Sequence, residues 1–247
     1  MISSLKNAIF STAKFAELIF FPSYCQLCSE LLELPHEKVI CRNCWENLHA
    51  RRSSFCIACG RFFEGPGSPH VCADCLNKRP SFSIHRSCGM YQGKLKDVIL
   101  LYKYRKFSVL GKGLAAFAYK SLGKEMDLWW DVEAIVPVPL HPKREKIRGF
   151  NQAQIVAKEL AKYKGIELLE KKLIRVKNIP PQTSLEASER KKNVRGAFAV
   201  KNGESLKGKI ILLVDDVYTT GATIKECSLA LKKAGAREVR AITLAQV

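Results

Sequence analysis

The sequence predicts an α/β domain with a largely parallel sheet flanked by helices, preceded by a small cysteine-rich module. Three observations carry that expectation. Nine of the ten cysteines lie before residue 90, and beyond residue 80 helix-like and strand-like stretches alternate, as they do in parallel sheets. The 247 residues are 47% apolar, enough for one sizeable core with a small satellite unit. The 41 Lys and Arg against 23 Asp and Glu are dispersed, without the like-charge blocks of disordered tails. The resulting net charge of +18 excludes little by itself, but it favours polyanionic partners such as nucleic acid or phosphorylated small molecules.

In chain order, "MISSLKNAIFSTAKFAELIFFPSYC" comes first. Ile9, Ala13, Ala16 and Phe20 share one helical face, so residues 1–24 are expected to form an amphipathic helix ending before Pro22. Ser11, Thr12, Lys14 and Glu17 interrupt the apolar run, and no small-residue cleavage site follows, which argues against a secretory signal. No stretch approaches the ~20 apolar residues of a membrane span. The expected location is cytoplasmic, with the helix packed on its own protein and a peripheral position at the inner membrane as the alternative.

Residues 25–80 form the expected metal module. Cys25/Cys28, Cys41/Cys44, Cys56/Cys59 and Cys72/Cys75 are four Cys-x-x-Cys pairs, and adding 31 to any member of the first two gives its counterpart in the last two. Glu33 and Glu64, Pro35 and Pro66, and Ile40 and Val71 match in the same register, so the segment is a tandem duplication. A two-residue gap lets two thiolates reach one tetrahedral ion, and the twelve residues between pairs suit a hairpin returning the second pair. Each repeat therefore reads as a four-cysteine zinc ribbon, with two structural Zn2+ per chain. A disulfide framework is the rival, disfavoured without a secretory signal. Ligation within each repeat is the simpler arrangement and cross-bracing between repeats the alternative. His36, His49 and His70 are expected to be bystanders, and Cys88 and Cys227 buried thiols.

Residues 81–247 supply the α/β domain. "GKLKDVILLYKYRK" and "GLAAFAYKSLGKEM" are helix-like, "AIVPVPL" is a short strand, and "NQAQIVAKELAKYKG" is an amphipathic helix capped by Asn151. A basic loop follows, then the strand "GKIILLVDD", the helix "GATIKECSLALKKAG" and the closing strand "EVRAITLAQV". Two glycine patterns are decoys. "GESLKGKI" has Ile210 where a P-loop needs Ser or Thr, and it precedes a strand. "GKGLAA" at 111–116 follows a helix-like stretch and reads as a turn between helices.

The chemistry concentrates in "ILLVDDVYTTGAT", residues 211–223, where adjacent acids end an apolar strand. Residues 211–214 are the expected buried part of this strand and Asp215 begins its C-terminal end, and ligands of parallel sheets sit beyond the C-terminal strand ends. Thr219, Thr220, Gly221 and Thr223 then present hydroxyls and N–H groups at a helix N-terminus, a cradle for phosphate. Asp215 and Asp216, beside it, can accept hydrogen bonds from sugar hydroxyls and help hold Mg2+. Together these features point to a phosphorylated sugar.

The same stretch resembles the signature of type I phosphoribosyltransferases, which bind 5-phosphoribosyl-1-diphosphate (PRPP). With "FPSYCQLC", "VPVPLHPKREKIRGFNQA" and "PPQTSLEASERKKNVRGAF" in the same order, nearly the whole chain resembles the ComF family of competence proteins. Many members carry a single four-cysteine site, so the second repeat extends the usual pattern. The resemblance implies a type I phosphoribosyltransferase-like sheet. It places Asp215 and Asp216 on the ribose hydroxyls and Val217, Tyr218, Thr219, Thr220, Gly221, Ala222 and Thr223 at the 5-phosphate site. Lys143, Arg144 and Arg148 would meet the diphosphate. Residues 177–196 would form a closing hood with Gln182, Arg190, Asn193 and Arg195, and Asp215, Asp216 and Arg190 would be the catalytic set.

Three functions follow from the resemblance: handling of incoming single-stranded DNA in natural transformation, phosphoribosyl transfer to an unidentified acceptor in nucleotide metabolism or salvage, and non-catalytic sensing of PRPP. The implied partners are PRPP with Mg2+, single-stranded DNA and competence machinery proteins at the inner membrane. With no N-terminal cysteine and no glutaminase-like domain, ammonia supply from glutamine is not expected.

Overall fold

The computed structural model describes residues 22–32, 37–50, 54–65, 67–177 and 194–247 and divides into two compact units, Met1–Leu48 and His49–Val247. Residues 1–21 of the expected N-terminal helix, His36 and the hood residues Gln182, Arg190 and Asn193 lie outside the described residues.

In the first unit an antiparallel bridge between Tyr24 and Leu31 closes a tight turn carrying Cys25 and Cys28. Short helix α1 (Arg42–Glu46) then starts at Cys41, whose sulfur accepts from the Cys44 N–H. The second unit opens with the same device. Phe55 bridges Phe62 around Cys56 and Cys59, and α2 (Ala73–Asn77) follows Cys72. This second ribbon shares a buried cluster with the α/β core: its four cysteines belong to the same cluster as Phe82, Ile224, Cys227 and Leu231.

The rest of the second unit runs β1 (Ile84–Ser87), α3 (Gly93–Tyr104), α4 (Leu110–Leu122), α5 (Met126–Trp129), β2 (Ala134–Pro137), α6 (Pro142–Arg148), α7 (Gln152–Lys164) and β3 (Glu167–Leu168). A two-stranded antiparallel pair, β4 (Leu173–Arg175) and β5 (Phe198–Val200), precedes β6 (Ile210–Tyr218), α8 (Ala222–Lys233) and β7 (Glu238–Gln246). Five strands form a parallel sheet in the order β1-β7-β6-β2-β3. Both faces of the central strands are covered, so Ile210 to Val214 of β6 form a continuous buried apolar run and Val239 to Ala245 of β7 are buried with Arg240 and Thr243 among them. Asn151 caps α7 as expected: its Oδ1 accepts from Ala153 N–H, while its Nδ2 donates to the Val138 carbonyl and ties the helix start to the end of β2.

Two expectations need correction. Strand β6 runs past the expected "GKIILLVDD": it stays paired with β7 through Tyr218, opposite Gln246, so Val217 and Tyr218 are strand residues too and the turn shrinks to Thr219–Gly221. Cross-strand hydrogen bonding overrides the poor strand propensity of Asp. The segment 111–116 is not a turn but lies inside α4. A Cβ on Gly111 would stand 2.5 Å from Ile155 Cγ2 and 2.6 Å from the Tyr102 hydroxyl, so this glycine serves close helix packing.

Candidate functional site

The structure groups the sulfurs by repeat. Cys25, Cys28, Cys41 and Cys44 form one cluster and Cys56, Cys59, Cys72 and Cys75 another, each with all four sulfurs within 4.8 Å. Backbone N–H groups point at them: Cys41 N–H at Cys25 Sγ (3.4 Å), and Cys59 and Cys72 N–H at Cys56 Sγ (3.4 and 3.3 Å). Burial opposes ionisation of Cys56, yet these N–H bonds outweigh it and bring the thiol down to about 6. Burial and its crowded neighbours push Cys75 up instead. Four thiols so close can all ionise only around a cation, and a tetrahedral sulfur set with N–H support fits Zn2+. The repeats would each hold one ion. His70 stacks on Phe63 at 4.2 Å and belongs to neither cluster.

Strand β6 carries the acidic pair to the sheet's C-terminal edge. Asp215 Oδ1 accepts from the Asp216 N–H at 2.8 Å. Burial, and next the charge of Asp216, raise the Asp215 carboxyl to about 7, against the opposing pull of Lys103 and Arg175. Lys103, on α3, reaches Asp216 Oδ1 at 2.8 Å, and both side chains are largely buried. Behind Asp215 lie the buried Cys227 and the Arg175 guanidinium, whose Nε has no hydrogen-bond partner among the described residues; burial lowers this guanidinium's pKa.

Immediately after β6 the chain turns at Gly221, with φ +71°, into α8, whose start has no side-chain cap. The first-turn N–H groups of α8 are thus left for a ligand, beside Thr220 and Thr223. On the other flank, Lys103, Tyr104, Lys106, Arg144, Ile147 and Arg148 line a cleft of about 220 Å³. Arg148 donates to Gln152 Oε1 at 3.0 Å and lies 5.6 Å over the Tyr104 ring. Burial lowers the Arg144 guanidinium's pKa, and the charges of Arg175 and Arg148 add to it, which marks a place suited to an anion.

Of the residues singled out in sequence, Asp215, Asp216 and the 219–223 turn are contiguous, and Arg144 and Arg148 share the cleft. Lys143 is exposed and outside the cleft lining, and Arg195 is exposed. Sequence reasoning missed Lys103, Lys106 and Arg175. A lysine in an amphipathic helix carries no local signal; only the fold brings Lys103 to Asp216.

A phosphoribosyl transferase domain pattern matches residues 146–247, and a double zinc ribbon domain matches residues 17–76. Competence protein F of Haemophilus influenzae is 31% identical over 221 residues, which cover 83% of this chain and 96% of that protein. The chain belongs to the ComF family. Competence protein ComFC of Streptococcus pneumoniae is 32% identical over 78% of this chain and 87% of its own length. The DNA utilization protein YhgH of Salmonella typhimurium is 30% identical over 90% of this chain and 96% of its own. The ComF chain described here thus carries a phosphoribosyl transferase domain behind a double zinc ribbon. Among the described residues no helix is long and apolar enough to cross a membrane.

Proposed function

We propose that this ComF-family chain binds PRPP and handles single-stranded DNA during DNA uptake or use. One observation carries the PRPP reading: the acid pair, the uncapped α8 start and the cationic cleft adjoin one another, with Lys103 both bonded to Asp216 and lining the cleft. The α8 turn, with Val217 and Tyr218 leading into it, receives the 5-phosphate on N–H groups and on the hydroxyls of Thr219, Thr220 and Thr223. Asp215 and Asp216 accept from the ribose hydroxyls, and Arg144, Arg148 and Lys103 face the diphosphate. Lys143 is a peripheral contributor to that charge. Carboxylate oxygens suit a hard cation, so Asp215 and Asp216 would help hold Mg2+, which would supply charge neutralisation for a leaving diphosphate.

The DNA reading rests on the net charge of +18 and on relatives named for competence and DNA utilization. A cytoplasmic place, in contact with uptake machinery at the inner membrane, follows from that reading. Phosphoribosyl transfer is the accompanying activity, with Arg190 of the hood closing over the ligand. Calorimetric titration with PRPP and Mg2+ tests binding, and Asp215→Ala and Asp216→Ala should each weaken it more than tenfold. Unchanged affinity in both variants would refute the assigned roles. Diphosphate release that depends on an added base, amine or nucleic acid separates transfer from sensing, since a sensor binds PRPP and releases nothing.

A further inference from the structure

The two zinc ribbons are copies in sequence, and the second is built into the buried core of the α/β unit. One position records that packing. Ser29 and Gly60 are equivalent across the 31-residue repeat, and both have left-handed backbone, φ +62° and +70°. Since serine adopts that conformation in the first repeat, conformation alone does not require the glycine in the second. The neighbour does: a Cβ on Gly60 would fall 2.4 Å from the His85 carbonyl oxygen. The metal-binding turn is thus pressed against β1.

His85 is fully buried and fastens that turn. Its N–H donates to the Ala58 carbonyl at 2.9 Å, and its Nδ1 lies 2.8 Å from the Cys59 carbonyl. A carbonyl only accepts, so Nδ1 carries the proton and Nε2 accepts from the Thr243 hydroxyl at 2.9 Å. Both partners of the His85 backbone N–H and Nδ1 are carbonyls of the segment between the first two cysteines of the second site. The other side of the imidazole faces the sugar-phosphate turn. Its ring stacks on Tyr218 with centroids 4.1 Å apart and planes at 20°, and Phe82 meets both rings edge-on at 6.2 and 6.5 Å. Tyr218 ends β6, and its hydroxyl fills the space under Gly221, where a Cβ would come within 2.2 Å of it. An unbroken line of contacts therefore runs from the Cys56–Cys59 turn through His85 and Tyr218 to the residue that opens α8.

We propose that the second zinc ribbon sets the position of the phosphate turn, with His85 as the positioning residue, so that zinc in that ribbon and PRPP at the turn bind cooperatively. This rests on the PRPP reading above. Zinc fixes the Cys56–Cys59 turn, the turn holds His85 by one hydrogen bond to its backbone and one to its ring, and the ring fixes Tyr218 beneath Gly221. Rigid packing lets such contacts transmit a small displacement, since interiors have little free volume to absorb it.

Linkage makes the effect reciprocal: whatever factor zinc contributes to PRPP affinity, PRPP returns to zinc affinity. Equilibrium competition with a colorimetric zinc chelator, with and without saturating PRPP and Mg2+, measures it on the unaltered protein. About a tenfold rise in affinity is expected at one of the two zinc sites, within the usual range of coupling. The Cys41→Ser variant should retain that rise on its remaining zinc, which assigns it to the second ribbon. His85→Ala should keep two zinc ions per chain, lose the rise and bind PRPP about tenfold more weakly. If the unaltered protein binds PRPP but its second-ribbon zinc affinity does not change, or if His85→Ala keeps full PRPP affinity, the coupling is refuted and the PRPP site stands. Absence of any PRPP binding would overturn the site and the coupling together.

Discussion

Asp215→Asn should make the protein more stable at alkaline pH, and the gain should vanish in acid. The carboxyl normally titrates near 3.8 but in the folded chain is raised to about 7 by burial and then by the Asp216 charge. Between those values the folded state holds a proton that the unfolded state releases, so stability falls as pH rises through that window and the loss is complete above about 7. The full difference corresponds to about 4 kcal/mol at most. Asparagine has the same shape, carries no charge at any pH, and can still accept from the Asp216 N–H, so it removes the penalty and little else. Without PRPP or Mg2+, the variant's thermal unfolding should lie roughly 4 °C above that of the unaltered protein at pH ~5, where the unfolded carboxyl alone has ionised, and roughly 10 °C above it at pH ~8.5. A difference that is flat with pH, or a variant less stable at alkaline pH, would refute the assignment of a strained carboxylate. The same substitution should abolish PRPP binding. Together the results would show that Asp215 is kept charged against the interest of the fold, as expected of a group held for its ligand.

Gly221→Ala forces a Cβ into left-handed backbone at φ +71° and into the Tyr218 hydroxyl, so a loss of about 2–4 kcal/mol in chemical denaturation is expected, with PRPP affinity falling more than tenfold. Cys41→Ser should leave one zinc per chain by elemental analysis and melt the first ribbon alone, because its sulfur cluster is separate from that of the second repeat; loss of both ions would contradict ligation within repeats. Binding of single-stranded DNA should weaken about a hundredfold from roughly 50 to 200 mM salt if about five phosphates are neutralised. A shallow salt dependence, or no binding at low salt, would remove the electrostatic basis of the DNA role.

The features legible in the sequence are those whose signal is local. Cysteine spacing specifies which sulfurs meet because each pair sits on one turn, and the 31-residue offset makes the two sites equivalent on paper. Apolar runs locate β6 and β7 because central parallel strands are buried on both faces. The end of β6 was not legible: the sequence places a closing strand over "EVRAITLAQV", but nothing local says that it pairs with β6 as far as Tyr218 and so holds Val217 and Tyr218 in the sheet. That extension matters to the chemistry: adjacent strand residues point to opposite faces of the sheet, so Asp215 meets Arg175 and Cys227 while Asp216 pairs with Lys103.

Lys103 and His85 were illegible for a related reason. Each sits in an ordinary amphipathic or apolar pattern, and each acquires its role from a partner far away in sequence, Asp216 for one and Tyr218 for the other. The duplicated ribbons make the point most directly. A repeat predicts equal roles, but Ser29 and Gly60 occupy the same backbone conformation with different neighbours, and only the neighbour explains the glycine. If the second ribbon served only to bind an ion, Ser29 of the first shows that glycine would not be required there. The glycine is required because the ion site is packed against β1, one residue layer away from the turn that would receive the phosphate.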